Sequence, residues 1–219
     1  MRDNSNEVIP FYAAENPRLF EIERRCMDRD GIVLQFLDSI LPNGCVLDIG
    51  AGNGFVADYV KSNDRLVVAL EPEPEMIDTD KPLLWSRGVA QKLPFIDNAF
   101  TAAYATWAFF LSGIDCKLEG LMEVRRVVTS NGVIAIIENA GDDEFCSLSR
   151  NSISDGGEWY TNHGFERRIL ETSFRFDTLD EARELLSFYF GEEAGNAVKA
   201  NEIEYKVAAY VGRAGQIGK

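Results

Sequence analysis

Residues Val46–Phe55 read VLDIGAGNGF. An apolar, branched run opens the stretch, as in a strand buried on both faces. Three glycines follow at alternate positions, Gly50, Gly52 and Gly54. Glycines there let a turn take left-handed backbone angles and let a ligand approach main chain. The usual occupant of a glycine turn after a first strand is a dinucleotide pyrophosphate, held at a helix N-terminus. Two features argue against it. The spacing is G-x-G-x-G rather than G-x-G-x-x-G, and Asp48 stands two residues before the first glycine. Two like charges about 4 Å apart cost roughly 4 kcal/mol at an intermediate dielectric. The same carboxylate favours a cationic ligand. Glu71 follows the next apolar run, where an acidic side chain accepts ribose hydroxyls. The constellation suits a ligand with an adenosine-like body and a positive head. The alternative is a tight strand-to-helix turn with no ligand.

Outward from this stretch, apolar periodicity predicts helices over Asn16–Met27 and from Ile32 to Leu41, the second ended by Pro42-Asn43-Gly44. Strands are expected at Cys45–Ile49, Arg65–Leu70, Leu83–Val89, Phe100–Thr106 and Val133–Glu138, with a helix from Gly54 onward. Leu118, Leu121, Met122, Arg125 and Val128 mark a helix that Asn131-Gly132 is expected to cap. The polar run Gly141–Gly157 reads as a mobile loop, Glu158–Asn162 as a helix with Gly164 past its end, and Thr178–Phe190 as an amphipathic helix. Phe165–Phe176 and Ile203–Val211 are long and alternating, an antiparallel edge pair, with the latter closing the sheet. Alternation of strand and helix through five units implies a parallel, doubly wound sheet. Ligands bind such sheets outside the strands' carboxyl ends, which here carry Asp48, Glu71, Thr106 and Glu138.

The chain has 219 residues, one α/β domain's worth with a modest appendage, and 46% of them are hydrophobic. A net charge of −14 repels nucleic acid and anionic lipid, so neither is expected as a partner. The pairs Arg24-Arg25, Arg125-Arg126 and Arg167-Arg168 lie in mixed-charge surroundings and read as solvated faces. The four cysteines are widely spaced with no C-x-x-C, so no zinc or redox motif and no metal is expected. With no signal peptide recognised, reduced thiols in a cytoplasm follow. The longest apolar run, Ala102–Leu111, is too short to span a bilayer.

The chain resembles the class I S-adenosylmethionine-dependent methyltransferases, of the small bacterial type, from about Gln35 to Asn139. VLDIGAGNG resembles the family's first motif, and ALEPEPEM, Ala69–Met76, its second. AQKLPFIDNAF, Ala90–Phe100, resembles the segment that closes on adenine, and EVRRVVTSNGVIAIIE, Glu123–Glu138, the helix–strand unit after it. The resemblance implies a Rossmann-like, seven-stranded, mostly parallel sheet with an antiparallel edge strand and helices on both faces. An N-terminal helical lid over residues 1–42 would precede the cofactor-binding part, residues 43–219, within one structural domain. The implied cofactor is S-adenosylmethionine, with S-adenosylhomocysteine as product. By the same resemblance Asp48 and the backbone of Gly50 hold the amino-acid end, and Ala51 and Gly52 line the loop. Glu71 binds ribose, Pro72 and Met76 pack on adenine, and Ala90 offers its N–H to the ring. Thr106 offers a carbonyl to the ammonium, and Tyr12 of the lid covers the methionine portion.

The chain departs from the family at three places. Val89 stands where an acidic residue is usual, and Gln91 is its substitute in recognising the adenine amino group. Thr101 replaces a second acidic residue. Trp107-Ala108-Phe109-Phe110 occupies a stretch where many members carry histidines. Methyl transfer needs mainly positioning, and a base only where the acceptor starts protonated. Candidates are His163, the only histidine, which also reads as a helix-end residue; Glu138; and Tyr12. Trp107, Phe109 and Asn139 are expected to line the acceptor pocket, with core packing the alternative for the phenylalanines. The acceptor is expected to be a small molecule. A cofactor-binding protein of this fold without turnover, and a nicotinamide dehydrogenase, are the competing functions.

Overall fold

The computed structural model describes residues 16–109, 114–149 and 157–218, without the side chains of 114–116. Tyr12, Phe110, the Cys116 side chain, and parts of the expected lid and mobile loop lie outside the described residues. The chain runs α1 (Pro17–Cys26), α2 (Ile32–Ile40), β1 (Gly44–Ile49), α3 (Phe55–Val60), β2 (Arg65–Leu70), β3 (Leu84–Ser86), β4 (Phe100–Thr106), α4 (Ile114–Val127) and β5 (Val128–Asn139). It continues α5 (Glu144–Ser147), α6 (Gly157–Asn162), β6 (Glu166–Arg175), α7 (Leu179–Phe190), α8 (Glu192–Ala197) and β7 (Glu202–Arg213). The described residues build a seven-stranded sheet in the order β3-β2-β1-β4-β5-β7-β6. Strands β1 to β5 pair in parallel, and β7 is antiparallel to both neighbours. The expected antiparallel pair forms that edge. Strand β6 is outermost and β7 fits between β5 and β6, so it is β6 that closes the sheet.

Each face of the sheet has its own core. Side chains of α1, α2, α3 and α7 pack on one face around Val46, Ala69, Tyr104, Ala135 and Val207. Those of α4 and α6 pack on the other around Leu47, Ala103, Ile134 and Tyr210. The alternation of strand side chains between faces therefore sorts the site residues: Asp48, Tyr104 and Asn139 lie on the first face, Glu138 on the second.

The first two helices are part of the main core, through Leu19, Ile22, Cys26, Val33 and Leu37. Asp28, buried, accepts the Ile32 and Val33 amides at 2.9 and 2.8 Å and the Thr172 hydroxyl at 2.7 Å, joining the start of α2 to β6. Arg25 pairs with Glu181, Arg29 with Asp177 and Arg175 with Asp30. Arg24 is paired with Glu23 and Arg126 with Glu123 and Asp97, so these two half-buried arginines are clamps, while Arg25, Arg167 and Arg168 are exposed, as expected.

Three expectations about elements fail for identifiable reasons. The helix expected to reach Asn131-Gly132 ends at Val127, and β5 starts at once with an irregularity between Phe100 and Ala102 of its partner. Gly132 is there because a Cβ would lie 2.6 Å from the Thr101 carbonyl oxygen, so close approach rather than helix capping requires it. The strand–helix alternation lapses around β3: residues 71–83 hold only a 3-10 turn, Pro74–Met76, and residues 87–99 no helix. Pro72, Pro74, Pro82 and Pro94 punctuate both connections, and proline breaks helix interiors. Strand β3 is accordingly three residues long rather than seven.

Candidate functional site

At the carboxyl end of β1 all three glycines have left-handed φ: +71° at Gly50, +55° at Gly52 and +74° at Gly54. A Cβ on Gly50 would also meet that of Ala108 at 2.5 Å, whereas one on Gly52 would meet only the Met76 methyl, at 3.7 Å. Space beside Gly52 is open, and Met76 borders it.

The amides of Gly50, Ala51, Gly52 and Gly54 are spoken for. Gly50 and Ala51 both donate to the Leu70 carbonyl at 2.9 and 3.0 Å, and Gly54 to the Ala51 carbonyl at 2.8 Å. Gly52 donates to Glu71 Oε2 at 2.8 Å, and Phe55, opening α3, to Asn53 Oδ1 at 3.2 Å. A phosphate cradle needs such donors free; here they serve the fold. What the Gly50 main chain can offer a ligand is therefore its carbonyl, not its amide. Lys81 Nζ donates to the Asn53 carbonyl at 2.6 Å and holds the loop from outside.

Two carboxylates face this loop, both buried. Glu71 uses Oε2 on Gly52 and Oε1 on the Glu73 amide at 3.0 Å. Burial pushes its carboxyl up, against those two donors. Asp48, 1% exposed, accepts the Tyr104 hydroxyl on Oδ2 at 3.0 Å. Its Oδ1 is buried and without a partner among the described residues. Burial pushes Asp48 up to about 7, opposed by the Tyr104 hydroxyl and reinforced by the Glu71 charge. An unpartnered buried carboxylate oxygen costs free energy unless something donates to it. A ligand with an ammonium or another cationic donor meets that need, and an anion does not.

The remaining predicted residues divide. Pro72 and Met76 lie on the 71–76 turn, Met76 buried. Ala90 and Gln91 are at the tip of a turn closed by the Lys92 amide on the Val89 carbonyl at 3.1 Å. That turn is anchored to α4: the Leu93 amide donates to Glu123, and Arg126 donates to the Leu93 and Phe95 carbonyls. Thr106 ends β4, and Trp107 follows with φ +51°, a left-handed angle uncommon for a bulky residue. The Trp107 indole donates to the Tyr205 hydroxyl at 2.7 Å, and that hydroxyl donates to Asn139 Oδ1. Trp107 and Asn139 are thus brought together by Tyr205, which reading the sequence did not single out. The Arg24 guanidinium lies 5.8 Å from the Trp107 ring centre, so α1 reaches the same edge.

Three candidates sit elsewhere. Phe109 is buried in the second core, against Gly120 of α4, the core-packing alternative. His163 is away from the carboxyl edge. It follows α6, its Nδ1 lies 2.7 Å from the Trp159 carbonyl and its ring stacks on Trp159. Its own carbonyl accepts the Gly218 amide beyond the end of β7, on the side where β5 begins. Glu138 is buried and accepts the Tyr160 hydroxyl, on the face opposite Asp48.

Residues 47–136, which contain the glycine loop, Glu71, the Ala90 turn and Thr106, match the family model for a methyltransferase domain. An uncharacterized methyltransferase of Mycobacterium tuberculosis is 30% identical over 113 residues, covering 49% of this chain and 45% of the relative. A ubiquinone/menaquinone biosynthesis C-methyltransferase of Citrifermentans bemidjiense is 28% identical over 109 residues, 44% of this chain and 46% of the relative. The chain spans about half the length of these curated relatives. A SAM-dependent methyltransferase of Thermotoga maritima shares the fold, with a TM-score of 0.61 at 17% identity over 91% of this chain and 94% of its own. So does the YcgJ protein of Bacillus subtilis, with a TM-score of 0.55 at 18% identity over 84% and 96%. Among the described residues no helix is long and apolar enough to cross a membrane.

Proposed function

We propose, for a chain that carries over residues 47–136 the methyltransferase domain of the class I S-adenosylmethionine-dependent family, that it methylates a small molecule from S-adenosylmethionine. The observation that carries this reading is Asp48 Oδ1, buried and unpartnered beside a loop whose three glycine amides are committed. The residues fit the group. Asp48 and the Gly50 carbonyl would take the cationic amino-acid end, and Ala51 and Gly52 its flank. Glu71, which has lone pairs to spare after its two amides, would take the ribose. Pro72, Met76, Ala90 and Gln91 would bound the adenine, and Thr106 would supply a carbonyl to the ammonium. S-adenosylmethionine would supply a methyl group made electrophilic by its sulfonium, and in-line displacement leaves a neutral thioether.

The chain's own part in transfer is to hold the acceptor and exclude water. Trp107, Tyr205 and Asn139 are hydrogen-bonded into one wall at the carboxyl edge, on the face that carries Asp48. An aromatic or apolar acceptor with a polar handle suits that wall. A cytoplasmic, bacterial setting goes with this reading, supported by the free thiols of Cys26 and Cys45 and by the bacterial relatives.

The test is a thermal shift with S-adenosylmethionine, S-adenosylhomocysteine and NAD, on wild type and Asp48→Ala, followed by turnover to S-adenosylhomocysteine over an acceptor panel. A ligand at about 100 times its Kd adds roughly 2.7 kcal/mol, a shift of several degrees. A shift by the first two ligands, in wild type only, is expected. A shift by NAD alone overturns the reading, and binding without turnover on any acceptor leaves a cofactor-binding protein.

A further inference from the structure

We propose that Tyr104 is a positioning residue of this site: its hydroxyl fixes one oxygen of Asp48, aims the other at the ligand, and sets the pH range in which cofactor binding displaces a proton from that buried carboxyl. The inference rests on the S-adenosylmethionine reading and adds a regulation by pH to it.

Asp48 and Tyr104 are register partners on adjacent parallel strands β1 and β4, with side chains on the same face. Both are fully buried, and the hydroxyl donates to Oδ2 at 3.0 Å, which leaves Oδ1 as the free valence. A buried phenol sharing a carboxylate with nothing else is an oriented donor: with Oδ2 held, turning the carboxyl plane breaks that hydrogen bond. Burial, and then the Asp48 charge, push the Tyr104 hydroxyl well above its ordinary range, so it stays a donor at every physiological pH. The groups acting on the Asp48 charge are few. Glu71 at the end of β2 repels it and Tyr104 of β4 supports it. No charged group of α1, α2, α3 or α7 acts on it among the described residues, and Arg65, at the other end of β2, bears on Tyr104. Burial therefore holds a proton on Asp48 near neutrality when no cation is present. A cationic ligand needs the carboxylate, so the proton leaves to solvent as the ligand enters, one for each ligand bound. Tyr104 decides at what pH this exchange becomes easy, because its hydrogen bond favours the ionised form.

The experiment is calorimetric titration with S-adenosylmethionine and S-adenosylhomocysteine between pH 5.5 and 8, in two buffers of different ionisation enthalpy. In wild type, affinity rises about tenfold per pH unit on the acid side and levels off above the midpoint. The buffers disagree in the sense of nearly one proton released at the acid end. In Tyr104→Phe the midpoint moves to higher pH, and the affinity lost at pH 6.5 is regained toward pH 8. In Asp48→Asn the residual affinity is flat with pH. A merely structural role would lower affinity by the same factor at every pH, so an unmoved midpoint in Tyr104→Phe overturns the proposal. If that variant does not fold, wild type still decides: binding with no proton release between pH 5.5 and 7 overturns it. A wild type that binds neither ligand at any pH instead removes the S-adenosylmethionine reading, and this inference with it.

Discussion

The two ends of the β1–β2 pair each bury a charge, and they treat it in opposite ways. At the amino end Arg65, 7% exposed, spends its guanidinium on the carbonyls of Leu41, Pro42 and Val60, and on Asp38. It ties the ends of α2 and α3 to the start of β2. At the carboxyl end Asp48, paired through the sheet only four residues up, keeps one oxygen without a partner. A buried charge with every valence met is a staple, and one with a valence left over is a place for a ligand. The difference is what separates scaffold from site here, and it can be broken from either end.

The largest expected effect is at the staple. Arg65→Leu removes one guanidinium and leaves two buried carbonyls, Leu41 and Val60, and the part-buried one of Pro42 without it, at about 1 kcal/mol each, so roughly 3 kcal/mol of stability is lost. Urea unfolding measures it. Arg65→Lys keeps the charge but not the fork and recovers only part. Cofactor affinity in the folded fraction stays the same, and a large fall there would show the two ends to be coupled.

Asp48→Asn reverses the sign. The folded-state carboxyl titrates near 7, against 3.8 for an ordinary one, so the native state holds its proton more tightly than the unfolded chain. Below pH 4 the group contributes nothing, and its penalty on the apo protein grows as pH rises, reaching about 4 kcal/mol above 7. An amide avoids that penalty but leaves an Nδ2 unpaired at about 2 kcal/mol. Net stabilisation of the apo protein by about 2 kcal/mol at pH 8, and little net change at pH 5, is expected from urea curves at the two pH values. Stability would rise while cofactor affinity falls. A variant less stable than wild type at both pH values would contradict the buried charge.

How far the sequence shows all this depends on how local the chemistry is. Asp48, Gly50, Gly52 and Glu71 are legible because a strand, a turn and the next strand end put them together within 25 residues. Tyr104 and Tyr205 are not. In FTAAYAT and IEYKVAAYV they read as inward strand positions, and their hydroxyls meet partners 56 and 66 residues away. Only the register of β1 with β4, and the seating of β7 against β5, shows what those hydroxyls do. Gly132 teaches a related lesson: a glycine after a helical stripe marks a cap or a close approach, and the sequence does not distinguish them. The prolines around β3 carried the signal for the missing helices, which the strand–helix rhythm overrode.

Tyr205→Phe tests the other wall of the site. It removes the acceptor of the Trp107 indole and the donor to Asn139, both part-buried, at a cost of about 1–2 kcal/mol. Asp48 and Glu71 are untouched by the change. Cofactor affinity is expected to hold, while KM for the acceptor rises several-fold. Equal losses of both affinities would merge the two walls into one.

The smallest effect belongs to His163. Its ring lies 4.1 Å from that of Trp159, and its Nδ1 meets the Trp159 carbonyl, the last turn of a six-residue helix. Gly164, at φ +85°, completes the helix end just after it. A side chain closing a helix terminus contributes roughly 0.5–1 kcal/mol through those carbonyls, and glutamine keeps part of that. His163→Gln is therefore expected to cost about 0.5 kcal/mol in unfolding experiments and to leave the pH–rate profile of turnover superimposable on that of wild type. A general base would behave otherwise: its loss typically lowers the rate by about 100-fold or more and removes the acid limb of the profile. Either change in His163→Gln would bring the β5–β6 connection into the reaction and end the division between a charged ligand side and a wall that only holds the acceptor.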